Sequence, residues 1–180
     1  MKTPGPGADP LDEFERAHRR LAALLLRHRV ALVERKGTLA GECFDAWRIA
    51  LARHIRLEET FLLPWLDKSA RWAPWVYLAE HRKVERLADA LTDPVGAISG
   101  ESVDPVRILE LLEREMPLKH LAEHHHEREE MDLLPVCRRR MSSVAVRRLS
   151  EALAATDVAR LVSGPIQARA PDPITGQEDE

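Results

Sequence analysis

The segment HIRLEETFLLP (54–64) returns as HHEREEMDLLP (125–135), in a chain with no other obvious repeat. Each copy keeps a histidine, two glutamates four and five positions on, and then Leu-Leu-Pro. Residues four apart on an α-helix lie one above the other on the same face. On a helix, His54 with Glu58, and His125 with Glu129, therefore each present an imidazole and a carboxylate in one direction. The chain must have a reason to do this twice.

The apolar periodicity around both copies is helical. Leu11, Phe14, His18, Leu21, Leu25 and Leu32 recur at helical spacing after Asp9-Pro10 and before Gly37, which predicts a helix over 10–35. Trp47, Leu51, His54, Glu58, Phe61 and Trp65 form one stripe of a second helix over 39–66. A third opens at Pro74 and carries Tyr77, Leu78, His81, Val84, Glu85 and Ala88 until TDPVGAISG breaks it. A fourth, over 104–133, carries Leu111, Leu118, Leu121, Ala122, His125, Glu129 and Leu133, with Pro117 expected to kink or divide it. A shorter amphipathic stretch runs from Val144 to Val162. Strand signals are nearly absent, so the expected class is all-α: an antiparallel four-helix bundle with a short fifth helix, a fold whose core commonly holds metals.

Each long helix puts one histidine on its apolar stripe: His18, His54, His81 and His125. Two add a carboxylate one turn on. A buried carboxylate needs a compensating positive charge, and four imidazoles with two carboxylates suit a pair of metal ions, nitrogens capping and carboxylates bridging. Any one stripe histidine alone reads better as a hydrogen-bonded core residue; the fourfold coincidence reverses that. Glu59 and Glu130 point about 100° away from Glu58 and Glu129 and read as solvated or supporting groups. In the run His124-His125-His126, His125 is preferred because Leu118, Leu121, Ala122 and Leu133 share its face. His120 and His124 form a surface HxxxH, His28 falls off its stripe and reads as solvated, and Trp47 and Trp65 read as core. A ferritin-like alternative would use Glu15-x-x-His18 and Glu123-x-x-His126, but it leaves His54 and His81 without a role.

The order H…HxxxE…H…HxxxE resembles the hemerythrin-like, or HHE cation-binding, family over about residues 10–160. The resemblance implies an up-down-up-down bundle around an oxo- or hydroxo-bridged non-haem di-iron centre, with manganese or zinc as alternative metals. It assigns His18, His54, Glu58, His81, His125 and Glu129 as ligands, with Glu58 and Glu129 bridging. Oxygen-carrying members have a second histidine four after the third-helix one, where this chain reads HRKVE. Glu85 is thus a seventh candidate ligand, harder and anionic, and would disfavour reversible oxygen carriage. The expected function is to bind, sense or reduce a small oxidant (dioxygen, peroxide or nitric oxide). The alternative is an iron-dependent regulatory or binding module without turnover.

Composition sets the frame. With 180 residues, 44% hydrophobic and 32% charged, the chain suits one domain, expected over 10–162 between a flexible 1–9 and a disordered tail at 163–180. A net charge of −3 leaves no overall basic footprint for nucleic acid. The local run RRRMSSVAVRR (138–148) reads as cations near a helix C-terminus. No membrane span is expected, a homodimer is admitted, and MKTPGPGADP lacks the apolar core of a signal peptide, so the chain reads as cytoplasmic. Cys43 and Cys137, without a CxxC, read as reduced thiols.

Overall fold

A computed structural model describes residues 9–67, 70–98 and 104–162, with side chains described as far as residue 155. The expectations for residues 1–8 and 163–180 lie outside these. Every regular element among the described residues is helical: α1 (Asp12–Val33), α2 (Gly37–Phe61), α3 (Pro74–Gly96), α4 (Pro105–Arg128), α5 (Leu134–Arg140) and α6 (Ser143–Val162). A 3-10 turn spans Leu63–Trp65 and a π turn spans Glu129–Leu133. No helix among the described residues is long and apolar enough to cross a membrane.

The helix starts follow local chemistry. Pro74 and Pro105 sit in first turns, where a missing N–H costs nothing, and the Asp104 carboxylate accepts from Val106 N at 3.0 Å. The α1–α2 connection departs from the sequence reading, because Gly37 does not stop α1 but begins α2. The left-handed residue is Arg35, at φ 59°. Lys36 N donates to Ala31 O and Arg35 N to Leu32 O, which is the hydrogen-bond pair of a Schellman cap.

Four prolines behave differently from expectation or from one another. Pro117 does not divide α4, and Pro94 lies inside α3, which runs through to Gly96. Tertiary burial of Ile108, Leu111, Leu118 and Ala122 on α4, and of Leu91 and Val95 on α3, outweighs the roughly 3 kcal/mol that an interior proline costs. The prolines ending the two repeats are accommodated in two ways. A proline ring clashes with the carbonyl four residues back. Before Pro64 the α-helix ends at Phe61, whereas before Pro135 the backbone widens into the π turn and continues as α5.

The four long helices pack in a closed cycle, α1 on α2, α2 on α3, α3 on α4 and α4 on α1. Two apolar clusters fill the interior. One includes Leu21, Phe44, Trp47, Leu51, Val84 and Leu118; the other includes Leu11, Phe14, Leu62, Tyr77, Leu133 and Leu149. Along α1 and α3 the chain passes from the second cluster to the first, through His18 and His81. Along α2 and α4 it passes from the first to the second, through His54 and His125. The polar residues thus occupy one layer between two dry ones, and Leu149 of α6, fully buried, helps close the outer end.

His28 corrects the sequence reading. It is 0% exposed, donating from Nδ1 to Ala40 O at 2.7 Å and hydrogen-bonded through Nε2 to Glu115 Oε1 at 2.6 Å. The position lies on the α1 stripe itself, three after Leu25 and four before Leu32, and α4 covers it. Cys43 and Cys137 are both free and buried, and burial pushes both thiol pKa values up, that of Cys137 to about 12.

Candidate metal centre

His18, His54, Glu58, His81, His125 and Glu129 are all buried and meet in the layer between the two apolar clusters. Their donor atoms form two overlapping groups, His18–His54–Glu58–Glu129 and Glu58–His81–His125–Glu129, and within each the atoms lie within 4.8 Å of one another. The carboxylates belong to both groups because each divides its oxygens. Glu58 Oε1 is 2.8 Å from His54 Nε2 and 3.8 Å from His18 Nε2, whereas its Oε2 is 3.4 Å from His81 Nε2. Glu129 Oε2 is 3.2 Å from His18 Nε2, whereas its Oε1 is 3.0 Å from His125 Nε2 and 3.8 Å from His81 Nε2.

These short contacts are not hydrogen bonds. All four Nε2 atoms and all four carboxylate oxygens are buried without a hydrogen-bond partner, because distance alone does not align N–H with oxygen. Eight orphaned polar atoms in one layer would be costly if they stayed so. Nitrogen lone pairs and carboxylate oxygens that converge on shared points, rather than on each other, are the donor set of a metal site. These groups can hold a metal ion.

The outer nitrogens are held separately. His18 Nδ1 donates to Glu130 Oε1 at 2.8 Å, His81 Nδ1 to Glu59 Oε1 at 2.9 Å, and His125 Nδ1 to Glu80 Oε2 at 3.0 Å. Glu80 also accepts from Arg128, whose guanidinium lies 4.5 Å from the centre of the Trp72 ring. Such partners fix the tautomer and aim each Nε2 inward. Glu59 and Glu130 thus take the supporting role that the sequence left open. Glu80 was missed; it precedes His81 but serves the histidine of the next helix, a relationship that no spacing within one helix reveals.

The electrostatics show how strongly the centre demands cations. Burial pulls the His18 and His81 pKa values down, but the carboxylates of Glu129 and Glu58 outweigh it and hold both at about 10. His125 is held at about 9 by Glu129 against the same burial. Burial pushes Glu58 and Glu129 up and their mutual repulsion opposes ionisation, yet the surrounding imidazoles hold both well below the usual carboxylate range. Without a metal, protons supply the positive charge; a metal would displace them.

Glu85 is not brought to this centre. It is exposed and lines an open surface hollow with Arg48, Leu51, Ala52, Ala88 and Asp89. The buried stripe of α3 is Tyr77, His81, Val84, Ala88, Leu91 and Val95, and at 100° per residue Glu85 lies about 80° from its middle. One turn beyond His81 is a core position only on the side of Val84. Glu15 and Glu123, needed by the ferritin-like alternative, also lie elsewhere, on Arg138 and Lys119 respectively. His120 and His124 are exposed.

His126, set aside in the sequence reading in favour of His125, lies beside the centre. Its ring stacks on that of His18 at 4.2 Å and 8°, and meets His54 edge-on at 5.7 Å. Burial, then the neighbouring His18, pushes its pKa down to about 3.

No protein-family model, no curated protein and no solved structure matches the chain.

Proposed function

We propose that this is a hemerythrin-like protein, an up-down-up-down four-helix bundle that holds two iron ions and uses them to bind, sense or reduce dioxygen, peroxide or nitric oxide. The observation that carries this reading is the convergence of four imidazole nitrogens and four carboxylate oxygens, all buried and all without hydrogen-bond partners. The alternating passage of the helices between the two apolar clusters supports the topology. Imidazole mixed with carboxylate suits iron, with manganese or zinc as the alternatives, and neither thiol is among the donors.

Bound iron supplies redox and Lewis-acid chemistry. This chain's own residues do the rest. Glu58 and Glu129 would be shared between the two ions, the four histidines would hold them from either side, and Glu59, Glu80 and Glu130 keep three of the rings aimed. The apolar layers on either side exclude water. Two imidazoles and one oxygen from each carboxylate would hold each ion and would leave room for a small exogenous ligand. With Glu85 at the surface, the charge argument against reversible oxygenation lapses, so dioxygen stands beside peroxide and nitric oxide.

The test is metal analysis with an ultraviolet-visible spectrum of protein expressed with added iron and purified in air. The reading expects about two iron ions per chain and near-ultraviolet charge-transfer absorption. Less than about half a transition-metal ion per chain would overturn it. Consumption of peroxide or nitric oxide by the loaded protein separates turnover from a regulatory module, for which iron loading would alter partner binding instead.

A further inference from the structure

We propose that Arg128 is a positioning residue for the metal centre: anchored on Trp72, it holds Glu80 against His125 and so fixes the ring with which that histidine would meet a metal. The inference rests on the metal-centre reading above.

The support of His125 is built differently from those of His18 and His81. Glu130 and Glu59 work from the rim, with side chains 43% and 40% exposed. Glu80 is only 17% exposed and is bonded at both oxygens. Its Oε2 accepts from His125 Nδ1 at 3.0 Å, and its Oε1 accepts from the Arg128 guanidinium. His125 and Arg128 are three residues apart on α4, which sets them side by side, and together they grip one carboxylate that reaches across from α3. Without Arg128 a carboxylate this far from water would keep an unsatisfied oxygen. It would gain by turning outward to solvent, and His125 would lose its support.

Arg128 is itself held. Its guanidinium lies 4.5 Å from the centre of the Trp72 ring, a cation–π contact, and Trp72, in the connection before α3, packs against the second apolar cluster. Arginine suits the place because its planar fork can bond a carboxylate and stack on a ring at once, which a lysine ammonium cannot. Packing alone does not call for it. In the first copy of the repeat the counterpart of Arg128 is Leu57, which packs against the second apolar cluster. The guanidinium appears only in the copy whose histidine is supported from a neighbouring helix by a carboxylate with a second oxygen to satisfy.

The experiment measures the Co2+ affinity of metal-free, full-length protein by chelator competition, in wild type, Glu80→Ala, Arg128→Met and the double variant. Glu80→Ala should lose about 10–100-fold, the usual cost of removing an outer support. Arg128→Met, which keeps a long apolar stem on Trp72, should lose about tenfold. The double variant should bind no worse than Glu80→Ala alone, because Arg128 acts through Glu80. An arginine that served the fold alone would instead give losses that multiply. Multiplied losses, or wild-type affinity in Glu80→Ala or Arg128→Met, would overturn the proposal while leaving the metal centre intact. Trp72→Phe keeps a ring beneath the guanidinium and should bind as wild type, whereas Trp72→Ala should follow Arg128→Met; wild-type affinity in Trp72→Ala would overturn the anchoring. If circular dichroism shows Arg128→Met unfolded, Arg128→Lys decides: weakened binding supports the proposal, and wild-type affinity overturns it. No cobalt bound by wild type would overturn the centre and this inference with it.

Discussion

Glu130 Oε1 accepts a hydrogen bond from His18 Nδ1 at 2.8 Å across 112 residues of sequence, and Glu59 Oε1 accepts one from His81 Nδ1 at 2.9 Å. This explains why both repeats carry a pair of glutamates. The first of each pair turns into the core, and the second steadies the lone histidine of another helix. Glu59→Ala and Glu130→Ala should each lower metal affinity about 10–100-fold, read by chelator competition. Glu123→Ala, which removes only a surface partner of Lys119, should leave it unchanged.

Replacing Glu85 is predicted to do little. Glu85→Ala and Glu85→His should retain wild-type metal content, spectrum and reduction potential, with stability changed by no more than about 0.5 kcal/mol. Glu58→Ala, by contrast, removes a carboxylate shared by both groups and should abolish the two-metal spectrum. A shift of potential in either Glu85 variant would show that the residue reaches the centre in solution.

The pH dependence of stability should reverse with metal. In metal-free protein the raised pKa values of His18, His81 and His125 contribute stability that is fully present below 6.5 and lost as pH rises through about 9 to 10. The lowered values of Glu58 and Glu129 contribute stability present above 4.5 and lost as pH falls below it. His126, held down at about 3, costs stability as pH falls below 6.5, so metal-free protein should melt highest near pH 6.5 and lower at both pH 4.5 and pH 9. Metal-loaded protein should gain affinity as pH rises, because protons compete for the same nitrogens. Calorimetric melting curves with and without metal check both slopes.

The His28–Glu115 pair lies about 15 Å along α4 from His125 and should matter to stability alone. His28→Ala would leave Glu115, 1% exposed, without its main partner, and such a loss typically costs about 3–5 kcal/mol. Urea unfolding should show it, while metal content per folded chain stays at the wild-type level. Loss of metal from folded His28→Ala would instead tie the pair to the centre.

The sequence by itself determined the helices and the inward faces. Helical spacing is local, so His18, His54, Glu58, His81, His125 and Glu129 could be read from their stripes, and the repeat showed that two of the histidines come with a carboxylate. What tertiary structure decided lies at the edges of those stripes, where an angle of less than a right angle separates core from solvent. Glu85 occupies such an edge and falls on the open side of α3, whereas His28, three after Leu25 and four before Leu32, lies on the α1 stripe itself, and its burial was legible in the spacing. His126 points about 100° from His125 and would be a surface residue on an isolated helix; the approach of α1 and His18 makes it part of the interior. Likewise, no rule within one helix could show that Glu80 would meet His125 or Glu130 meet His18. Those contacts exist only once the helices pack, because a side chain's surroundings are set by the neighbouring helices as much as by its own.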